Sequence, residues 1–210
     1  MPIEIAVEGV SKRFKKDWIF RGVEHRFAQG SKTAVLGRNG SGKSTFLKLL
    51  TGYVGLSEGL VQWTLNDEAL DMAKWHHHFS YCAPYLELIE EYSLEESLRF
   101  HFDLKPLRKE ITLASVLEDS GLAAHMKKPV GLFSSGMKQR LKLILALCSD
   151  VDVYFLDEPC SNLDEAGIAW YQTMVESVSQ DKSLIVASNS KVEYYFCDQQ
   201  IDIQGYRPTS

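Results

Sequence analysis

The fold of this 210-residue chain is decided by one stretch, Gly37-Arg38-Asn39-Gly40-Ser41-Gly42-Lys43-Ser44-Thr45. The stretch matches the phosphate-loop pattern G-x-x-x-x-G-K-[ST]. An apolar run before it, residues 33–36, predicts a strand, and residues 46–50 after it predict a helix that stops near Gly52. Backbone N–H groups in a loop between a strand and a helix form, with the helix N-terminus, a nest for an anion. The sequence therefore predicts that residues 37–45 bind phosphate groups.

Two side chains of this loop suit a nucleotide bound with magnesium. Lys43 is placed to reach the β and γ phosphates, and the Ser44 hydroxyl is placed to ligate Mg²⁺. The glycines allow the backbone to approach phosphate closely, because they have no Cβ. The alternative is a glycine-rich turn that carries a Lys-Ser pair by chance, and the flanking strand and helix favour the phosphate loop.

Composition narrows the class of protein. The chain has 45% hydrophobic and 24% charged residues, which is ordinary for a globular domain. Its net charge of −5 gives no reason to expect nucleic acid as the main partner. No run of ~18 apolar residues predicts a membrane span, and the first residues do not resemble a signal peptide. The scattered cysteines predict reduced thiols in a cytosolic chain, and the histidines at 76–78 predict a solvated loop or strand end rather than a metal site.

Strand and helix patterns alternate along the chain in an order that predicts an α/β domain with a helical lobe. Strands are predicted at residues 3–7, 18–20, 23–27, 33–36, 60–65, 79–82, 151–156, 184–187 and 200–203. Helices are predicted after the capping box Ser93–Glu96, around residues 113–117, from Ser135 or Gly136, and after Asp164. We therefore expect a single domain, with residues 1–84 and 143–210 as an α/β core and about 85–142 as the lobe.

A pair of carboxylates, Asp157 and Glu158, follows the apolar run 151–156. Side chains at the carboxyl end of a strand near a phosphate loop face the bound nucleotide. Asp157 is therefore placed to hold Mg²⁺ directly or through water, and Glu158 to orient an attacking water. The alternative is that the pair merely ends a strand at the surface.

Between these motifs lies the stretch Phe133-Ser134-Ser135-Gly136-Met137-Lys138-Gln139-Arg140. It is similar to the signature motif L-S-G-G-Q of the ATP-binding-cassette (ABC) ATPases. Residues 161–164, Ser-Asn-Leu-Asp, resemble the D-loop of that family. The resemblance covers nearly the whole chain. It implies a P-loop NTPase fold with a RecA-like core, an antiparallel β subdomain and a helical lobe, and it implies ATP and Mg²⁺ as ligands.

The resemblance also implies a role for each candidate residue. Residues 37–45 would hold the phosphates, Ser44 and Asp157 would hold Mg²⁺, and Glu158 would position the water. Phe14 stands where the family places an aromatic ring that stacks on adenine, although the ring could simply belong to the core.

The resemblance also implies that the signature motif acts between the two subunits of a dimer. Ser134, Ser135 and Gly136 would reach the γ-phosphate of the ATP that the opposite subunit holds, because a helix N-terminus attracts an anion. Two chains would then pack head to tail around two ATP molecules, which predicts an ATP-dependent homodimer.

The chain departs from the family pattern at several positions. The Q-loop glutamine is absent, and Pro84 or a close neighbour takes its place. The switch histidine is replaced by Asn189, which can donate a neutral hydrogen bond to a γ-phosphate, weaker than a charged one. Within the signature, Ser135 replaces a glycine, Phe133 a leucine and Met137 a glutamine. These changes are expected to slow hydrolysis more than they weaken ATP binding.

The resemblance thus implies the ATPase subunit of a membrane transporter, with the permease on a separate chain. The subunit would lie at the cytoplasmic face of the membrane, and residues 85–92 would face the permease unless they simply pack within the lobe. The signature sequence and the short chain lean toward an exporter. Two alternatives stay open: an ABC protein that acts on DNA or ribosomes, and a nucleotide-binding regulator with very slow hydrolysis.

Overall fold

The computed structural model describes residues 3–208, which form two β-sheets with flanking helices. The strands are β1 (Ile3–Phe14), β2 (Asp17–Phe27), β3 (Lys32–Leu36), β4 (Glu58–Leu65), β5 (Glu68–Ala69), β6 (Phe79–Cys82), β7 (Val153–Asp157), β8 (Ser183–Ala187) and β9 (Gln199–Asp202). The α-helices are α1 (Lys43–Leu50), α2 (Leu94–Leu104), α3 (Leu113–Asp119), α4 (Ser135–Leu147), α5 (Glu165–Glu176) and α6 (Lys191–Tyr194). Short 3₁₀-helices lie at Met72–His77, Ala123–His125, Val130–Leu132 and Ile203–Tyr206.

The parallel sheet positions the site. Its strand order is β6-β7-β8-β3-β9, and every neighbouring pair is parallel, so the carboxyl ends of these strands share one edge. All residues of β7 and β8 are buried, which explains their continuous apolar sequence. Strand β8 lies between β3, which leads into the phosphate loop, and β7, which ends at Asp157. The two motifs therefore face each other across the end of β8.

The antiparallel sheet has the order β2-β1-β4-β5 and is built on a long hairpin of β1 and β2. The predicted short strands at 18–20 and 23–27 are wrong as separate elements, because both belong to the continuous strand β2. The hairpin register shifts between Val7 and Val10, where Gly9 has φ +59°. Such bulges interrupt the two-residue alternation without ending the pairing, so the sequence pattern looks like several short strands.

Two apolar clusters hold these layers together. One fills the space between the antiparallel sheet, α1 and one face of the parallel sheet, with Trp63 and Phe46 completely buried. The other packs helices α2 to α5 against the opposite face, with Leu141 and Tyr171 completely buried. Helix α4 belongs to this second cluster along its length, and it runs through the expected lobe boundary at residue 142.

The helix starts predicted from capping residues are confirmed. Ser93 forms a full capping box with Glu96 at the start of α2. Ser134 caps α4 by accepting from the Met137 N–H at 3.2 Å, and Asp164 caps α5 by accepting from the Gly167 N–H at 2.9 Å. The caps of α4 and α5 lie within the signature stretch and within residues 161–164.

Candidate nucleotide-binding site

The loop at residues 37–45 connects β3 to α1 and is shaped by its glycines. Gly37 and Gly42 have φ of +144° and +106°, a region that other residues rarely adopt. A Cβ on Gly42 would lie 2.5 Å from Ile19 Cγ2, and one on Gly37 would lie 2.4 Å from Ser41 Oγ. The loop is therefore seated against β2 with no room for larger residues, while Arg38, Asn39 and Gly40 are exposed at its tip.

Lys43 folds back over this loop. Only 5% of its surface is exposed, and its Nζ donates to the backbone oxygens of Gly37 at 2.8 Å and Arg38 at 3.4 Å. Within residues 3–208 it makes no ion pair with a carboxylate. The Ser41 hydroxyl beside it is buried and lacks a hydrogen-bond partner among the described residues. A buried cation and an unpartnered hydroxyl in a glycine cradle fit an anionic ligand such as phosphate.

Asp157 lies at the carboxyl end of β7 and is 1% exposed. Its Oδ2 accepts a hydrogen bond from the Tyr85 hydroxyl at 3.0 Å, whereas its Oδ1 is buried and has no partner within residues 3–208. Burial raises the pKa of this carboxyl, and the neighbouring hydroxyls of Ser44 and Tyr85 oppose the rise. An unpartnered carboxylate oxygen near a serine hydroxyl fits a hard divalent cation such as Mg²⁺.

Glu158 adopts an unusual backbone conformation, with φ +45°. Its N–H donates to the Ala187 carbonyl at 2.9 Å, so the end of β8 holds it in place. A left-handed conformation costs about 1–3 kcal/mol for a residue other than glycine and is concentrated at functional sites. This conformation carries the chain from the buried strand β7 into the surface loop that follows.

Glu158 shares a cleft of about 380 Å³ with Asn39 and Asn189. Asn189 follows β8 and its Nδ2 donates to Asn39 Oδ1 at 2.6 Å. The structure thus brings three predicted residues from three loops together at the carboxyl edge of the sheet.

The signature residues 134–136 do not line the cleft of Glu158. Ser134, Ser135 and Gly136 line a cleft of about 360 Å³ with residues 162–164, at the N-terminus of α4. Arg140 pairs with Asp164 at 2.7 Å and so joins α4 to the start of α5. Both serines are exposed, and the Ser134 hydroxyl accepts from the N–H of Met137, so that N–H of the first turn of α4 is already paired.

Phe14 ends β1 and is 49% exposed. The alternative that it is a core residue is therefore wrong. Lys12 Nζ lies 4.9 Å from the centre of its ring, a cation–π contact. Stacking on adenine stays a prediction.

Comparison with known proteins decides the family. The model of the ABC transporter family matches residues 20–161. The chain belongs to the ABC transporter family. An ABC transporter ATP-binding protein of Haemophilus influenzae is 28% identical over 94% of this chain and 80% of its own length. The lantibiotic transport ATP-binding protein SrtF of Streptococcus pyogenes is 29% identical over 90% of this chain and 82% of its own length. The predicted family is thus confirmed.

A solved structure supports the fold of this ABC protein. The putative ABC transporter ATP-binding protein of Pyrococcus furiosus has a TM-score of 0.79, is 20% identical, and matches 98% of this chain and 100% of its own. The predicted fold class, a P-loop NTPase of the ABC type, is confirmed. Within residues 3–208 no helix combines the length and apolar character that crossing a bilayer requires.

The structure of this ABC protein also shows a residue that sequence reasoning missed. Glu193, in the short helix α6, is only 5% exposed. Its Oε1 accepts from the Cys160 N–H at 2.7 Å, and its Oε2 accepts from the Ser188 hydroxyl. Burial raises the pKa of this carboxyl, while its bonds to Ser188 and Cys160 oppose the rise. Glu193 therefore joins the loop after β7 to the loop after β8, directly behind Glu158.

We expect Glu193→Ala to destabilise the fold by about 1–3 kcal/mol, because the partly buried N–H of Cys160 loses its acceptor. Urea unfolding followed by tryptophan fluorescence measures the change. Glu193→Gln keeps an acceptor for Cys160 and should retain most of the stability. Equal stability of the alanine variant and the wild type would show that the two loops do not depend on this carboxylate.

A third cleft of about 260 Å³ runs along the edge strand β6. Its walls are mostly apolar, and its charged lining residues are Glu87, Lys105 and Lys142. Burial lowers the pKa of Lys105 to about 8. Lys105 Nζ donates to the Phe79 carbonyl, and Lys142 Nζ donates to the Pro84 carbonyl at 2.6 Å. Residues 85–92 border this cleft and expose Tyr85 and Ile89 at 45% and 42%.

Proposed function

We propose that this chain is the ATP-hydrolysing subunit of an ABC transporter and drives a permease on a separate chain. The observation that carries the proposal is the shared edge of the parallel sheet. There, Asp157, whose Oδ1 has no partner within residues 3–208, and Glu158 end and follow β7, and the phosphate loop at 37–45 follows β3. Phosphoryl transfer needs mainly positioning and electrostatic stabilisation, and these groups supply both.

In this proposal each residue acts on the nucleotide. The phosphate loop cradles the phosphates, and Lys43 exchanges the carbonyls of Gly37 and Arg38 for β and γ phosphate oxygens. Ser44 and Asp157 hold Mg²⁺, which when bound neutralises charge on the phosphates. Glu158 accepts a hydrogen bond from the attacking water and holds it in line with the γ-phosphate.

Two further contacts complete the proposed site within one subunit. Asn189 donates a neutral hydrogen bond to the γ-phosphate in place of its bond to Asn39. The exposed ring of Phe14 stacks on the adenine. Neither contact adds a charge, so both contribute to positioning more than to transition-state stabilisation.

We further propose that two copies form a head-to-tail dimer when ATP is bound. Support comes from the outward-facing cleft of Ser134, Ser135 and Gly136 at the start of α4, which is a helix of 13 residues. The N–H groups of Ser135 and Gly136, which precede the capped N–H of Met137, suit the γ-phosphate of a second subunit. The twofold arrangement would place each signature stretch on the nucleotide of the partner.

The permease is proposed to dock beside β6, in the cleft bordered by residues 85–92. These residues belong to the proposed lobe at 85–142, and they keep Ile89 exposed. The mostly apolar walls suit an apolar segment of the permease. Docking there would hold the chain at the cytoplasmic face of the membrane, and we propose export as the direction of transport.

Membrane association tests this proposal. In cells, the chain should fractionate with membranes when its permease is present and remain in the soluble fraction when the permease is deleted. Ile89→Asp should weaken the association, since it places a charge on the proposed apolar surface. Leu60→Asp is the matched control, because Leu60 is 47% exposed on β4, on the antiparallel sheet. Soluble behaviour of the wild type beside an intact permease would refute the docking proposal.

One other function has a specific observation in its favour. Asn189 stands in place of the switch histidine and bonds to Asn39, which favours a nucleotide-binding regulator that scarcely hydrolyses ATP. A steady-state ATPase assay of the purified chain with its permease separates the two. Turnover that rises with transport supports the transporter subunit, and ATP binding without turnover supports the regulator.

A further inference from the structure

Tyr85 reaches the magnesium side of the site because of strand pairing. Strands β6 and β7 are parallel neighbours, with Cys82 opposite Leu156. The chain that leaves β6 after Cys82 therefore passes the carboxyl end of β7. Tyr85 follows by three positions and places its hydroxyl 3.0 Å from Asp157 Oδ2.

The hydroxyl of Tyr85 belongs to a directed chain of hydrogen bonds. An ionised carboxylate can only accept a hydrogen bond, so the Tyr85 O–H must be the donor to Asp157. The Tyr81 and Tyr85 hydroxyls lie 2.6 Å apart, and Tyr81 must then be the donor in that bond. Charge on Asp157 strengthens such a chain, because each bond polarises the next.

The ring of Tyr85 is held from a third side. Lys48 Nζ of α1 lies 3.9 Å from the ring centre, a cation–π contact. Tyr85 is nevertheless 45% exposed, so apolar burial is not what fixes its position. Polar contacts to β6, β7 and α1 do so instead, and they aim the hydroxyl at one carboxylate oxygen.

We propose that Tyr85 is a positioning residue for the divalent cation. It binds Asp157 Oδ2 and fixes the carboxylate so that Oδ1, buried and without a partner within residues 3–208, faces the metal. The Q-loop glutamine of the family is absent from this part of the chain, and Tyr85 would act there by orienting the Asp157 carboxylate. The inference rests on the proposed function, because it assumes that Mg²⁺ and a nucleotide bind here.

The test compares nucleotide binding with and without the metal. Titration calorimetry gives the affinity of the full chain for ATP in Mg²⁺ and in EDTA, for wild type and Tyr85→Phe. We expect Mg²⁺ to increase the ATP affinity about tenfold less in Tyr85→Phe than in wild type, because the variant loses a hydrogen bond to a charged group. The affinity for ATP in EDTA should be the same in both proteins. Tyr195→Phe is the matched control, since its hydroxyl donates to Glu176 at 2.5 Å on an exposed surface.

The possible results distinguish failure of the proposed role of Tyr85 from failure of the proposed ATPase function. Equal gains from Mg²⁺ in Tyr85→Phe and wild type overturn it, while ATP binding by both leaves the proposed function standing. A parallel loss in EDTA also overturns it, because Tyr85 would then support the loop rather than the metal. Tyr81→Phe provides a second measurement. If Mg²⁺ increases its ATP affinity less than in wild type, but by more than in Tyr85→Phe, the chain of hydrogen bonds from Tyr81 to Asp157 is supported. An increase equal to that of wild type contradicts it. A wild type that does not bind ATP in either condition refutes the function itself.

Discussion

Glu158→Gln is expected to reduce ATP hydrolysis by about 10²–10⁴-fold, the usual contribution of a general base, while ATP binding is unchanged. The substitution keeps the size of the side chain and its hydrogen bonding but removes the negative charge that polarises the attacking water. Asp157 precedes Glu158 at this edge, and its Oδ2 is already bound to Tyr85. Hydrolysis should therefore depend mainly on Glu158.

The same variant should accumulate as a dimer in ATP, because the dimer is expected to reopen only after hydrolysis. Size-exclusion chromatography in Mg-ATP, run beside the ATPase assay, measures both effects in one preparation. Glu110→Gln is a suitable control, since Glu110 is exposed and lies between α2 and α3. If Glu158→Gln hydrolyses ATP as fast as wild type, Glu158 is not the catalytic carboxylate. If it stays monomeric in saturating ATP, the dimer forms only with the permease or does not form.

Lys43→Ala is expected to weaken Mg-ATP binding by about ten- to a hundredfold. A hydrogen bond to a charged group contributes about 1.5–3 kcal/mol, and Lys43 makes such bonds to the phosphates in the proposed complex. The ammonium is already enclosed by the loop, at 5% exposure, so little further ordering is needed when ATP binds. Isothermal titration calorimetry measures the change.

Lys109→Ala is the matched control for this measurement, because Lys109 is exposed and distant in sequence from the loop. Circular dichroism should show that both variants remain folded. Equal affinity of Lys43→Ala and wild type for Mg-ATP would refute the assignment of residues 37–45 as the phosphate loop.

The parts of the site that could be predicted are those encoded by neighbouring residues. The loop at 37–45 combines a strand, glycines and a helix start in one continuous stretch, and the structure places it between β3 and α1. The caps Ser93, Ser134 and Asp164 were predictable for the same reason, since a cap depends on residues within one helical turn. Asp157 and Glu158 could be placed because a parallel strand ends at a known edge of its sheet.

The parts that could not be predicted depend on contacts between distant segments. Tyr85 contacts Asp157 only because β6 pairs with β7, and no local pattern distinguishes it from other tyrosines. Glu193 is a single acidic residue in a four-residue helix, and its burial follows from the packing of the loops after β7 and β8. The continuous strands β1 and β2 were missed because bulges disrupt their alternation.

In the proposed function, the left-handed backbone of Glu158 makes the needs of folding and of catalysis conflict at one residue. Glycine adopts that conformation without strain, so it is the residue that folding alone would favour at this position. The carboxylate is retained at a cost that the rest of the chain must offset. Directed evolution that selects only for thermal stability should therefore replace Glu158 with glycine and yield a more stable protein that does not hydrolyse ATP. An engineering scheme for this ABC protein needs an activity screen in every round.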